Sequence, residues 1–182
     1  ISLGTNPVDT PEPCARIVVM ISHCNLGALL AGDTFWYIWR QTAEAGVQTI
    51  DISQLYSYNI STGEAKSYGQ VSSELASSDD HAWDPVENTI YGQYTINNTR
   101  KLCKVNYLAQ TVTPVGDCYQ YYGLAFDASG QLWGIDNAGI LYKIDKRNGV
   151  ATSVGSTGIV PKYAQSMTFD LKTGELYWAS MT

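Results

Sequence analysis

Basic residues are scarce in this sequence, and that scarcity limits the surfaces that the chain can bind. Eleven Lys and Arg residues stand against seventeen Asp and Glu residues, which gives a formal net charge of −6 and a pI of about 4.7. The basic residues are spread thinly and form no stripe. This distribution excludes nucleic acid as a partner and disfavours an anionic membrane surface.

Long apolar runs are missing as well. The best run, residues 15–21, has about the length of one strand, whereas a membrane-spanning helix needs roughly 18 apolar residues. We therefore expect no membrane span. Residues 1–13 contain Thr, Asn and three Pro and are interpreted as a linker-like N-terminal segment. Either a signal peptide has been removed before it, or the chain is a piece of a longer protein.

Recognisable catalytic machinery is the third absence. The chain has only two His, and its four Cys show no CxxC spacing, so a zinc knuckle or a redox pair has little support. The sequence contains no GxSxG, HExxH, Walker or dinucleotide-binding motif. We predict no catalytic residues, no metal site and no cofactor. Cys14–Cys24 and Cys103–Cys118 are each close in sequence, but four cysteines permit three connectivities, and buried free thiols are the alternative.

Aromatic residues and glycine are abundant. Thirteen Tyr, five Trp and sixteen Gly occur beside only three Phe and three Met. Aromatic rings pack well on a pleated surface and glycine serves turns, so this composition favours strands over helices. The prediction is an all-β fold.

An internal repeat makes the fold prediction specific. Each copy is an aromatic residue followed by Asp, a polar turn, and an aliphatic-aromatic pair. The copies are residues 83–92, 126–134 and 169–178. Their aspartates, Asp84, Asp127 and Asp170, recur every 43 residues, which matches the 40–45 residues of a four-stranded propeller blade. We expect each aspartate to bind backbone amides of its own turn instead of a calcium ion.

The rest of each blade follows from a second pattern. Alternating segments that end in Asn or Asp occur at 55–59, 102–106 and 141–145, and glycine-containing turns follow at 61–64 and 146–149. In the best-preserved copy the predicted strands are 123–126, 131–135, 141–144 and 151–154. The earliest copy has strands at 26–30, 34–39 and 48–58, with a loop insertion at 40–45. A helix over 33–46 is the alternative, but the aromatic run at 35–39 favours a strand.

The chain therefore holds an incomplete ring. We predict blades over about 25–72, 73–117 and 118–160, a partial blade over 161–182, and a propeller unit spanning 14–182. Propellers usually close with four to eight blades, so either a longer parent chain supplies the rest or self-association covers the open edges.

The segments 122–136, 139–149 and 165–178 resemble YVTN/NHL-like propeller domains of secreted, multidomain bacterial surface proteins. The resemblance covers residues 25–182 and is strongest after Tyr119; residues 1–24 and the insertion at 40–45 depart from it. It implies a secreted or cell-surface location, neighbouring fibronectin-type or adhesin-type modules, and no assigned activity.

Ligands of propellers usually bind where loops lead into the innermost strand of each blade. The corresponding loops are 77–81, 117–122 and 161–165. Their candidate ligand-binding residues are Asp79, Asp80, Tyr119, Tyr121, Tyr122, Lys162, Tyr163 and Gln165. Tyrosine rings and amides together suit a sugar or a peptide. Asp79, Asp80 and His81 offer the alternative of a cation site, but the repeat aligns His81 with Leu124 and Met167 and so predicts that it packs in the first strand.

Three functions remain open at this point. The leading hypothesis is a non-catalytic interaction propeller that binds a glycan or a protein through the rim loops. The second is a hydrolase or lyase acting on sugars, because two carboxylates suffice for glycosidic cleavage. The third is a purely structural module of a larger surface protein.

Overall fold

The computed structural model describes residues 28–45, 48–77, 80–163 and 165–180, and within these ranges the protein consists of antiparallel sheets without an α-helix. In the described part of the chain, one 3₁₀ turn, Leu75–Ser77, separates two strands. None of the described segments could cross a membrane as a helix.

Among the described residues, three sheets have four strands each, ordered as they follow in the chain, and the last sheet has two. Blade 1 contains β1 (Ala28–Ala31), β2 (Thr34–Ala45), β3 (Gln48–Asn59) and β4 (Ala65–Gln70). Blade 2 contains β5 (His81–Asp84), β6 (Thr89–Ile96), β7 (Thr99–Asn106) and β8 (Thr111–Asp117). Blade 3 contains β9 (Tyr121–Phe126), β10 (Leu132–Asp136), β11 (Ile140–Ile144) and β12 (Ala151–Ser156). The partial blade contains β13 (Met167–Phe169) and β14 (Leu176–Trp178).

The first strands of the four sheets lie side by side, with β5 between β1 and β9, and β13 next to β9. The sheets are therefore arranged as blades around a common axis, and the prediction of three blades plus part of a fourth is confirmed. In blade 3 the observed strands match the predicted ones to within two residues at each end.

The insertion in blade 1 differs from its prediction. Residues 40–45 were expected to form a loop, but β2 continues to Ala45 and pairs with β3 along its whole length, from Thr34↔Asn59 to Ala45↔Gln48. The β-branched residues Thr42, Thr49 and Ile50 in this stretch favour an extended backbone. The hairpin extends beyond the length of the other blades, and the alternative helix over 33–46 is excluded.

The repeated aspartates accept hydrogen bonds from backbone amides of their own turns, as predicted. Asp84 Oδ1 accepts the amide N–H groups of Val86 at 2.9 Å and Glu87 at 3.2 Å. Asp127 and Asp170 accept the amides two residues further on in the same way, at 2.9 and 2.8 Å. Each carboxylate thus satisfies the backbone donors of the turn between the first two strands, and the pKa values of Asp127 and Asp170 are lowered.

Hydrophobic clusters hold neighbouring blades together, and two of them join the four-stranded blades. One lies between blades 1 and 2 and includes Ile38, Leu55 and Cys103, each fully buried. The other lies between blades 2 and 3 and includes Leu102 and Leu132. Burial of each large apolar side chain contributes about 1.5–3 kcal/mol, so these contacts fix how the blades are placed relative to one another.

Two of the four cysteines fall in the described residues, and both are free thiols. Cys103 is buried in the cluster between blades 1 and 2, whereas Cys118 packs at the edge of the other cluster. The two thiols therefore belong to opposite sides of blade 2. Cys14 and Cys24 lie outside the described residues.

Candidate functional site

One end of the blades carries the loops that lead into β5, β9 and β13, and we call this end the rim. At the rim, the side-chain amide of Gln93 in blade 2 pairs with the backbone of Tyr121 in blade 3. Gln93 Oε1 accepts the Tyr121 N–H at 3.0 Å, and its Nε2 donates to the Tyr121 carbonyl. Because Gln93 is fully buried, these bonds fix the start of β9 against blade 2.

Asp80 forms a second link between the same blades. Its Oδ2 accepts the Leu124 N–H of β9 at 2.8 Å, and its Oδ1 accepts the His81 N–H at 2.9 Å. Burial raises the pKa of Asp80 to about 7, although these two N–H groups act in the opposite direction. Asp80, which was predicted to contact a ligand, therefore accepts hydrogen bonds from the backbone of both β5 and β9.

His81 is buried, as the alignment of the repeat predicted, and is only 4% exposed. Its Nε2 lies 2.6 Å from the Tyr94 hydroxyl, and its Nδ1 lies 2.8 Å from the Tyr107 hydroxyl. Burial lowers its pKa to about 3, so the ring is neutral over the physiological range. Gly92, opposite His81 in β6, makes room for the ring, since an added Cβ would come within 2.3 Å of His81 Cδ2.

Tyr121 is placed differently from its neighbours in the rim loop. It is 1% exposed and packs in the cluster between blades 2 and 3, where Gly134 leaves space for its ring. Its ring packs against Tyr119 and Tyr142 and is not accessible to a ligand.

Tyr119 and Tyr142 form an accessible aromatic pair at the rim. Tyr119 is 59% exposed, and its ring centroid lies 5.6 Å from that of the part-buried Tyr142. The Tyr142 hydroxyl donates to Asp136 Oδ2 at 3.0 Å, while Asp136 Oδ1 accepts the N–H groups of Ala138 and Ile140. We call Tyr119, Tyr142 and Asp136 the rim platform. Its two rings are held by packing against Tyr121 and by the bond to Asp136.

Sequence reasoning missed Tyr142 and Asp136 because it considered only the loops before the first strands. Asp136 ends β10 and Tyr142 lies in β11, so both reach the rim from the loop that joins the second and third strands. A signal was available, since this loop lies at the same end of the blade as the loop before the first strand.

The remaining candidates surround the start of β9 and the loop before β13. The Tyr122 carbonyl accepts the Gln165 N–H at 2.7 Å, which joins the two segments. Lys162 and Tyr163 are exposed, and Tyr163 has 61% of its surface accessible. Asp79 lies outside the described residues. Within the described part of the chain, no group of three or more His, Cys, Asp or Glu side chains is placed to hold a metal ion.

No protein-family model and no curated protein matches this sequence significantly. Solved structures do match. An auxiliary nutrient binding protein from Bacteroides thetaiotaomicron superposes with a TM-score of 0.57 at 11% identity, over 87% of this chain and 36% of that one. A chain of a nidogen/laminin complex gives 0.54 at 13% identity, over 85% and 56%. A gluconolactonase from Xanthomonas campestris gives 0.50 at 16% identity, over 84% and 52%.

The fold is that of a β-propeller. At these identities the likeness shows the fold alone, and propellers serve both binding and enzymatic functions. The chain spans between 36% and 56% of the length of these three structures.

Proposed function

We propose that this propeller is a non-catalytic recognition module that binds a glycan through its rim. The observation that carries the proposal is the rim platform, where the exposed Tyr119 ring packs beside Tyr142. Aromatic rings offer a flat apolar face to the C–H groups of a sugar, and hydroxyl and carboxylate oxygens beside them accept its hydroxyl protons.

Preorganisation of the platform supports the same function. The Asp136 carboxylate fixes the hydroxyl of Tyr142 and is itself held by two backbone amides. Rigid aromatic residues lose little conformational entropy on binding, so most of the contact energy contributes to affinity. Tyr163 and Lys162, exposed on the loop before β13, extend the surface toward the partial blade.

Asp80 and His81, at the rim end of β5, are both engaged within the fold. Both carboxylate oxygens of Asp80 accept backbone N–H groups, and both ring nitrogens of His81 lie within hydrogen-bond distance of tyrosine hydroxyls. Through these hydrogen bonds, Asp80 and His81 connect neighbouring strands. A location outside the cytoplasm, as in the YVTN/NHL-like propellers that the sequence resembles, belongs to this proposal.

A glycan array tests the proposal with the wild-type protein and the double variant Tyr119→Ala/Tyr142→Ala. Truncation of a central aromatic contact typically costs more than about 1 kcal/mol, and about 1.4 kcal/mol corresponds to a tenfold change in affinity. We expect the double variant to bind its glycan at least tenfold more weakly.

The matched control is Tyr177→Ala, which removes a tyrosine that is 55% exposed on β14, outside the rim platform. It should bind like the wild type. A folded wild-type protein that binds no glycan on the array contradicts the proposal and favours a protein-binding or purely structural module.

A carbohydrate-active enzyme is the second candidate, and the state of Asp80 favours it. A carboxyl group with a pKa near 7 at the rim suits general acid catalysis. Hydrolysis of an array-positive oligosaccharide by the wild type, and its loss in Asp80→Asn with binding retained, would establish this function over the first.

A further inference from the structure

Two matching grooves open at the end of the blades opposite the rim. One, of about 710 Å³, lies between blades 2 and 3 and is lined by Gly130, Gln131 and Lys146. The other, of about 670 Å³, lies between blades 1 and 2 and is lined by Asn88, Thr89 and Tyr107. Tyr107 and Lys146 occupy corresponding positions in the repeat. Each directly follows the residue that ends the third-strand segment, Asn106 in blade 2 and Asp145 in blade 3.

An ion pair crosses the groove between blades 2 and 3, which we call the ionic groove. The Lys146 ammonium of blade 3 crosses it to the Asp84 carboxylate of blade 2 and lies 2.9 Å from Glu87 Oε1. The side chain of Asp84 is fully buried. The polar groups of this groove therefore satisfy one another.

The groove between blades 1 and 2, which we call the aromatic groove, has other residues at the matching positions. The pairing Ala31↔Thr34 in blade 1 corresponds to the pairing Asp84↔Thr89 in blade 2. Ala31 therefore occupies in blade 1 the position that Asp84 occupies in blade 2. Tyr107 stands where Lys146 would. The ion pair that bridges the ionic groove thus has no counterpart at these two positions.

Tyr107 also leaves the groove open. It is 3% exposed, and its hydroxyl points inward to His81 Nδ1 at 2.8 Å. Its ring packs against Trp36, with centroids 5.4 Å apart. A long cation that would cross between the blades is replaced by a ring that forms part of the groove wall.

Two tryptophans line the space that results. Trp83 occupies the position of Phe126 in the repeat, but Phe126 is 4% exposed whereas Trp83 is partly accessible in the groove. Its Nε1 donates to Asn88 Oδ1 at 3.0 Å, and Asn88 has a left-handed backbone with φ 49°. Trp36 is held between Tyr68 and Tyr107.

The polar lining is neutral. Amides of Asn88 and Asn106 and hydroxyls of Thr111 and Thr113 border the groove, and none of its described lining residues is acidic. Lys104 also borders it, but the Lys104 ammonium lies 3.7 Å from Glu87 and 5.6 Å from the centre of the Tyr91 ring. That cation is already paired.

We propose that the aromatic groove is a second binding site, for a neutral saccharide. Its volume is in the range of small-molecule sites, the partly accessible Trp83 indole supplies an apolar face, and amides and hydroxyls supply donors and acceptors without net charge. The site is separate from the rim platform, because it lies between blades 1 and 2 at the end opposite the rim, whereas the rim platform lies on blade 3. It does not depend on the function proposed for the rim.

Titration of the tryptophan fluorescence of the whole chain with neutral oligosaccharides tests this site. The probes are cellotriose, maltotriose, xylotriose and N,N′,N″-triacetylchitotriose. We expect at least one of them to give a saturable change in emission. Trp83→Phe, which installs the residue type found at this position in blade 3, and Asn88→Ala should each weaken that binding at least tenfold.

Two control variants distinguish binding in the aromatic groove from binding at the rim or beside another tryptophan. Trp133→Phe changes a tryptophan outside the groove and should leave the affinity within twofold of the wild type; Tyr119→Ala changes the rim platform and weakens only binding that occurs there. The proposal is overturned if none of the four sugars gives a saturable change, or if Trp83→Phe and Asn88→Ala bind as tightly as the wild type. A loss of binding in Tyr119→Ala alone would assign the sugar to the rim.

Discussion

The Nε2 atom of His81 lies 2.6 Å from the Tyr94 hydroxyl, deep between blades 1 and 2. The residue before it, Asp80, bonds to blade 3 on the other side. Asp80 thus connects blade 2 to blade 3, whereas the neighbouring His81 bonds to two tyrosine hydroxyls within blade 2. Both have strongly shifted pKa values, and the shifts act on stability in opposite directions.

The effects of Asp80 and His81 on the pH dependence of stability oppose each other between pH 4 and 6.5. The pKa of Asp80 rises from 3.8 to about 7 on folding, so in this range the folded state binds more protons and Asp80 makes stability fall as the pH rises. The pKa of His81 falls from 6.5 to about 3, so the unfolded state binds more protons and His81 makes stability rise with pH. We expect the wild type to show a weak net dependence.

Single substitutions should expose each linkage. In Asp80→Asn the remaining effect of His81 should raise the unfolding temperature as the pH increases from 4 to 6.5. In His81→Gln the unfolding temperature should fall over the same range. Thermal unfolding followed by circular dichroism measures both slopes, with Asp117→Asn, an exposed carboxylate, as the control that follows the wild type. Flat profiles in both variants would show that neither group titrates as described.

The ion pair across the ionic groove should be important for stability. Lys146→Met leaves the fully buried Asp84 carboxylate without its cation, and breaking a buried pair in this way costs about 3–5 kcal/mol. Lys101→Met is the matched control, because its partner Asp117 is 70% exposed and an exposed pair contributes at most about 1 kcal/mol. Urea unfolding compares the two; equal losses of stability would refute the assigned difference.

Gln93 should connect blades 2 and 3. Gln93→Leu keeps an apolar side chain of similar length but leaves the buried N–H and carbonyl of Tyr121 without these partners. Each unsatisfied buried group costs about 1–3 kcal/mol, so for these two groups we expect a loss of about 2–6 kcal/mol in the free energy of unfolding. Gln120→Leu, at an exposed position of the rim loop, should change it little. A small effect of Gln93→Leu would mean that water replaces the amide.

The two described thiols should react slowly in the folded protein. Burial raises the pKa of Cys103 to about 12 and that of Cys118 to about 11, so neither is a thiolate at pH 8. In a Cys14→Ser/Cys24→Ser variant, a thiol reagent should label the protein at pH 8 only after denaturant is added. Rapid labelling of the folded variant would contradict the burial of these groups.

The repeat allowed the sequence to predict the blades, because the Asp turn and the alternating third strand recur with a fixed period. The turn contacts of Asp84 and Asp127 could be predicted for the same reason, since they are local. The extension of β2 to Ala45 could not, because the loop and hairpin interpretations of that insertion share the same composition.

The burial of Tyr121 depends on a β-bulge that no local pattern shows. Ile135 pairs with Gly123 and Asp136 pairs with Tyr121, so Tyr122 is the extra residue. The shift places Tyr121 in the same cluster as Leu124. Tyr119 and Tyr142 come together only when β9 and β11 are assembled in one sheet, and so the rim platform required the structure.

Hydrogen–deuterium exchange with a glycan that is positive on the array tests the central claim, recognition through the rim platform, most directly. We predict that the bound glycan slows exchange in residues 117–122 and 136–142 and leaves residues 145–150, at the opposite end of blade 3, unchanged. Protection at 145–150 without protection at either rim segment would contradict the claim.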